Sequence, residues 1–226
     1  RAVNLCCGVD GSCVFKSHVF GGTFDPIHLG HINMAQQCVQ QCQLDTLYFM
    51  PCAIPAHKAK PGISDEHRIN MLKLAIDDNP HFAIDYRELN REGASYSLLS
   101  LEELRAENPA EPIMFLIGMD SFNSLDKWFK WQEIVKLCHI VVYQRPGQHC
   151  QVSGELAAYK ENAVTEQLSQ LQQAPAGKLF FLNGLQVNAA SSEIRKKLHL
   201  NNDIAELLPT NVSHYIAQHH LYQTDE

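Results

Sequence analysis

The sequence has no long hydrophobic run: its longest apolar stretch, around Ile113 to Met119, is far too short to cross a bilayer. It also has no basic-then-apolar N-terminal layout of a signal segment. Positive charge is in deficit, with 18 Lys and Arg against 25 Asp and Glu and a net charge of −7. That balance speaks against a nucleic-acid or membrane-surface binder. It leaves room for a local basic pocket that takes a phosphorylated small molecule. No internal repeat is present, and no low-complexity tract beyond a mild glutamine bias between Gly147 and Gly177. The eight cysteines are scattered, without the spacing of a small secreted framework. Cys38 and Cys42 sit four apart, but two ligands without a nearby second pair make a poor metal site. The expectation is a soluble protein with reduced thiols in a cytoplasm.

What is present is ordinary globular material: 226 residues, 45% hydrophobic, with ten prolines and twelve glycines. A chain of this size forms one large domain, or one domain with a small annex, and buries roughly 70–75% of its unfolded surface. Short β-rich runs that end in Gly, Pro or Asp alternate with stretches of helical period. The strands are expected at Val14–Phe20, Thr46–Met50, Phe82–Asp85, Ile113–Ile117, Ile140–Gln144 and Leu179–Leu182. Helices are expected at His31–Gln43, Ser64–Asp78, Ser97–Glu107, Trp131–Leu137, Ser192–Leu198 and Asn211–His219. In the second, Ile69, Leu72 and Ile76 share one face. Gly147–Gly177 reads as one polar surface helix between loops. This alternation implies an α/β protein with a doubly wound parallel sheet, whose ligands bind at the carboxyl ends of the strands.

The first strand end carries the densest signal. After Val19–Phe20 come Gly21, Gly22, Thr23, Phe24, Asp25, Pro26, Ile27, His28, Leu29, Gly30 and His31. The glycines let backbone approach a ligand, and Asp25-Pro26 turns the chain. His28 and His31 are three apart and can point the same way at a helix start. Gly30 between them leaves a flat floor. Open N–H groups and the dipole of that helix suit phosphate oxygens. A His pair at this spacing also suits zinc, but no third ligand lies nearby. His81 and His139 read as ordinary satisfied polar residues.

The pattern Gly22-x-Phe24-Asp25-x-x-His28-x-Gly30-His31 resembles the signature of the His-x-Gly-His nucleotidyltransferases. Later segments narrow the likeness to bacterial nicotinate-nucleotide adenylyltransferases, and it runs from about Val19 to Tyr222. The resemblance implies a Rossmann-like sheet with helices on both faces and a small C-terminal helical part. It also implies adenylyl transfer from ATP to nicotinate mononucleotide, giving deamido-NAD and pyrophosphate in NAD biosynthesis. Residues 14–226 would then form a single nucleotidyltransferase domain. Residues 1–13 match nothing in the family and read as a poorly ordered extension from an upstream start.

The other strand ends extend the likeness. Pro55-Ala56-His57-Lys58 is similar to a family Pro-Pro-His-Lys segment, which gives Lys58 to the triphosphate and His57 to the acceptor. Asp85-Tyr86-Arg87-Glu88, Arg91-Glu92-Gly93 and Ser95-Tyr96-Ser97 follow a family pattern in which a helix start receives the nicotinate carboxylate. Ser97 replaces the usual Thr and keeps the hydroxyl. Gly118-Met119-Asp120 corresponds to a Gly-x-Asp turn near the adenosine. Aromatic clusters are usually core, but Trp128, Phe129 and Trp131 lie beside Lys127 and Lys130, and an aromatic face suits a pyridinium ring. The resemblance puts Trp128 and Phe129 against it. Arg145-Pro146-Gly147 places a cation at another strand end. Ser191-Ser192-Glu193-Ile194-Arg195 opens a helix, with Ser192 as a good N-cap and a guanidinium above it.

Carried over residue by residue, the resemblance implies catalytic roles for His28, His31, Lys58 and Arg195. It implies ATP contacts at Gly21, Gly22, Thr23, Phe24, Gly30, Gly118, Asp120, Ser191, Ser192 and Ile194. Nicotinate mononucleotide would meet His57, Tyr96, Ser97, Trp128, Phe129 and Arg145. No Ser or Cys nucleophile with a paired base emerges, nor a carboxylate dyad, nor a dedicated metal site. Mg²⁺ is expected to travel mainly on the triphosphate. The alternatives are another acceptor, such as nicotinamide mononucleotide or phosphopantetheine, or a non-catalytic nucleotide-binding regulator. The expected partners are small molecules rather than nucleic acid or membrane, and a homo-oligomer is left open.

Overall fold

The computed structural model describes residues 17–53, 62–183 and 187–223. Residues 1–13, and the segment that carries His57 and Lys58, lie outside them. Six strands form one sheet: β1 His18–Gly22, β2 Leu47–Pro51, β3 Phe82–Ile84, β4 Met114–Gly118, β5 His139–Tyr143 and β6 Leu179–Phe181. Their order is β3-β2-β1-β4-β5-β6, and every neighbouring pair is parallel. The central strand β1 registers Val19 against Tyr48 on one side and Phe115 on the other. Strand order reverses between β1 and β4, and a crevice opens there beyond the carboxyl ends.

The helices among the described residues are α1 Leu29–Cys42, α2 Asp65–Ile76, α3 Ser97–Glu107, α4 Met119–Asn123 and α5 Trp131–Leu137. They continue as α6 Gly154–Ala163, α7 Leu168–Gln173, α8 Ser191–His199 and α9 Thr210–Gln218. They cover both faces, which is why β2 and β5 are buried along their whole length and read as continuous apolar runs. On one face Phe20, Phe49, Leu116 and Val141 pack with α1, α2, α8 and α9. On the other Val19, Met50, Phe115 and Val142 pack with α3, α5 and α6. The period-two alternation of each strand supplies both cores. None of these helices is long and apolar enough to cross a membrane.

Several boundaries move, each for a local reason. Helix α1 begins at Leu29 rather than His31, because His28 is its N-cap. Helix α8 begins at Ser191 with Ala190 as cap, so Ser192 lies within the first turn rather than capping it. The Ser191 hydroxyl instead donates to the Pro26 carbonyl at 3.1 Å, tying α8 to the loop after β1. On α2 the buried set is Arg68, Met71, Leu72 and Ile76, and Ile69 is only half-buried. The glutamine-rich stretch folds as two helices, α6 and α7, not one. Leu156 and Leu171 are enough to anchor them in the core. Helix α4 is too short to show a period in the sequence. Cys38 and Cys42 face the core from α1, and His139 is buried with its ring between the Ala174 carbonyl and the Lys178 N–H.

Candidate active site

Two adjoining cavities fill the crevice at the β1–β4 switch. The larger, about 640 Å³, is lined by Phe24, His28, Gly30, His31, Gly118, Asp120, Arg145, Ser191, Ser192 and Arg195, among others. The smaller, about 310 Å³, is lined by Tyr96, Ser97, Phe115, Trp128, Phe129, Glu88 and Cys52, among others. Gly21, Gly22, Thr23, Ser121 and Trp128 border both. Ligands in the two cavities would therefore meet over the end of β1.

The two imidazoles of the larger cavity brace each other. The His28 N–H donates to His31 Nδ1 at 3.2 Å, and the His31 N–H donates to His28 Nδ1 at 3.3 Å. The rings stack with centroids 3.6 Å apart. With Nδ1 accepting in each, the neutral rings carry their proton on Nε2, as donors. Burial, aided by the nearby Arg145 charge, lowers the His28 pKa to about 3. His28 therefore stays a neutral donor at ordinary pH. The Leu29 N–H donates to the Leu207 carbonyl at 2.9 Å. Capping thus uses donors of α1 that the sequence offers to phosphate, and both rings line the larger cavity beside them. Gly30 is required here: a Cβ would lie 2.9 Å from His28 Nδ1 and Cε1.

The loop between them is held from several sides. Phe24 adopts φ 49° and is buried, edge-on to His31 with centroids 5.1 Å apart. The Arg195 guanidinium donates to the Asp25 carbonyl at 2.7 Å. Arg145 donates to the Ala189 carbonyl at 3.1 Å and pairs with Asp120 at 2.6 Å. Arg145 thus lines the larger cavity and not the smaller. Its bond to the residues before α8 draws it there. Ile194 lines neither cavity: its side chain is wholly buried and fixes α8 to the core.

The aromatic cavity sorts the ring-bearing residues. Trp131 is buried in the core, whereas Trp128 and the half-exposed Phe129 face the cavity. Tyr96 meets Phe129 with centroids 5.1 Å apart, and Lys130 Nζ lies 5.4 Å from the Phe129 ring centre. Tyr96 is the N-cap of α3 and makes no side-chain cap bond, so this helix start presents backbone N–H groups at the cavity wall. Cys52 is buried, and burial raises its thiol pKa, which keeps it from acting as a thiolate.

Two residues escaped sequence reasoning. Arg68 is fully buried, and its guanidinium donates to the carbonyls of Thr23 and Cys52 at 2.6 Å each and to Asp65 at 2.7 Å. It ties the end of β1 to the end of β2. Its only signal was a cation among the inward positions of α2. Glu88 is buried at the aromatic cavity and accepts from the Ser100 hydroxyl at 2.7 Å, and burial raises its pKa. It stood in plain view beside Asp85 and Arg87, but nothing in the sequence said that it turned inward.

A cavity lined by His28, His31, Arg145 and Arg195 lies next to an aromatic one at the switch point of a 3-2-1-4-5-6 sheet, the ligand-binding place of α/β proteins, and residues 19–197 match the cytidylyltransferase-like family model. The chain is 42% identical over 209 residues to a Cellvibrio japonicus protein named "Probable nicotinate-nucleotide adenylyltransferase", covering 91% of this chain and 97% of that one. It is 40% identical over 206 residues to a Marinomonas protein of the same name, covering 91% and 93%. Among solved structures it is similar to the Plasmodium falciparum nicotinic acid mononucleotide adenylyltransferase complexed with NaAD, with TM-score 0.69, 19% identity and coverage of 91% and 96%. The chain belongs to the nicotinate-nucleotide adenylyltransferase family.

Proposed function

We propose that the protein transfers the adenylyl group of ATP to nicotinate mononucleotide, forming deamido-NAD and pyrophosphate. The observation that carries this reading is the pair of cavities joined along Gly21–Thr23. One offers cations and ring donors to a triphosphate, and the other offers aromatic faces and a helix start to a charged ring.

The acceptor 5′-phosphate attacks the α-phosphorus in line, and pyrophosphate leaves. The nucleophile is already ionised at neutral pH, so no general base is needed, in keeping with a His28 ring that stays a neutral donor. Catalysis then comes from positioning and from charge stabilisation on the transferring and leaving oxygens. His28 and His31 serve the α- and β-phosphates. Arg195 and the start of α8, which has no side-chain cap, serve the β and γ. Asp25 and Asp120 on this wall already engage Tyr222 and Arg145, and no cluster of three metal-ligating side chains occurs among the described residues. That donor set fits a Mg²⁺ ion held chiefly by phosphate oxygens and water, offsetting triphosphate charge.

The backbone N–H groups at Ser97 favour a ring carboxylate, whereas a carboxamide would set its own NH₂ against them. A polar mismatch of this kind discriminates by roughly 10⁴ or more. Pyrophosphate release with Mg-ATP and, separately, nicotinate mononucleotide, nicotinamide mononucleotide and phosphopantetheine tests the reading. Turnover chiefly with the first supports it. Turnover chiefly with another acceptor overturns the acceptor site, and ATP binding without turnover points to a regulator.

A further inference from the structure

We propose that Tyr222, at the far end of the chain from the His28 motif, is a positioning residue that holds the Asp25 carboxylate off Arg195, so that the guanidinium remains available to the triphosphate. The Tyr222 hydroxyl donates to Asp25 Oδ1 at 2.6 Å. The other carboxylate oxygen lies 3.9 Å from Arg195 Nη1, which donates instead to the Asp25 backbone carbonyl at 2.7 Å. Asp25 and Arg195 both line the larger cavity; Tyr222 does not, so it acts through Asp25.

The chemistry makes this restraint matter. A carboxylate and a guanidinium this close favour a short, bidentate pair, and such a pair would compete with phosphate for the same donors. A hydroxyl bonded to Oδ1 occupies one of the two oxygens that the bidentate pair needs. The buried setting of Asp25 fixes its remaining freedom. Burial and the Asp25 charge raise the phenol pKa, so the hydroxyl stays a donor.

The C-terminal segment is built to present this group. Beyond α9 the Leu221 N–H donates to the Ile216 carbonyl at 3.1 Å, and the Leu221 side chain is buried in the core. Tyr222 then turns at φ 63° and packs half-buried against the same core. Ahead of α9, the Leu207 carbonyl accepts from the Leu29 N–H, so the chain on both sides of that helix touches the His28 motif.

The inference rests on the adenylyl-transfer reading for its kinetic consequence, but ATP binding reads it separately. Tyr222→Phe keeps the ring and removes the hydroxyl. It is expected to weaken ATP binding by titration, and to lower kcat/KM for ATP, by roughly tenfold, toward the lower end of what one hydrogen bond to a charged group is worth. KM for nicotinate mononucleotide and the melting temperature stay near wild type. In an Asp25→Asn background, where no ion pair with Arg195 can form, adding Tyr222→Phe has no further effect. Unchanged ATP affinity in Tyr222→Phe overturns the proposal. So does an equal loss in the Asp25→Asn background, or a loss that tracks a lower melting temperature. Failure of the wild-type protein to turn over any acceptor overturns the functional reading instead, and the ATP affinities then decide the role of Tyr222.

Discussion

His28 and His31 each accept the other's backbone N–H on Nδ1, at 3.3 and 3.2 Å, with the rings stacked 3.6 Å apart. One reciprocal pair thus caps α1, fixes both tautomers and directs donor character to Nε2. Under the proposed mechanism structure and catalysis share the same atoms, and substitutions can separate them.

His31→Ala removes a ring donor that the proposed mechanism assigns to the transferring phosphate and is expected to lower kcat by at least about a hundredfold. His28→Ala should do the same and also cost about 1 kcal/mol by uncapping α1. His28→Asn restores an oxygen that can accept the His31 N–H, so it should recover the stability without the rate. Steady-state kinetics beside thermal melts of the three variants check this.

The His28 pKa of about 3 in the folded protein lies below the ordinary 6.5. In acid the unfolded chain takes up a proton that the folded chain refuses, so stability is retained above pH 6.5 and falls as pH drops from 6.5 toward 3. His18, lowered to about 4 by burial, adds to the same slope. Denaturant unfolding at pH 7 and pH 5 should show the loss, and it should be smaller in His28→Asn.

Gly30→Ala improves helix propensity but places a Cβ 2.9 Å from the His28 ring. The ring must move, and a displacement near 1 Å costs about a hundredfold in rate. A folded, melting-competent protein with kcat down at least about tenfold is expected. Near-normal kcat would show that the His28 position is not limiting.

Arg68→Met keeps the bulk of a long side chain on α2 and leaves the Thr23 and Cys52 carbonyls without the guanidinium that joins them. Each buried acceptor left unpaired costs about 1–3 kcal/mol, so a loss of about 3 kcal/mol is expected in chemical denaturation. Because Thr23 borders both cavities, KM should rise for both substrates together.

The strands were legible because a sheet buried on both faces writes continuous apolar runs between turn residues. Glycines, histidines and aromatics at the strand ends pointed to the proposed chemistry for a similar reason. A phosphate site needs close backbone approach and a ring site needs a flat face, and few residue types supply either. Boundaries were less legible. His28 as N-cap and Ser191 as a tether depend on partners that only folding supplies. Trp128 and Trp131 illustrate the limit: they are three residues apart, yet one faces a cavity and the other the core.

The sequence by itself determined the α/β architecture, the edge of the sheet where the cavities open, and the residue types gathered there. These follow from local periodicity and from chemistry carried by short segments. The tertiary structure alone decided that Arg145 lines the same cavity as His28, His31 and Arg195 and that Ile194 is core. It alone showed that Arg68 joins two strand ends from within and that Tyr222 reaches Asp25 across 197 positions. Those outcomes depend on contacts between segments distant in the chain. Such contacts are set by packing and by pairing every buried polar group, and no local pattern records them.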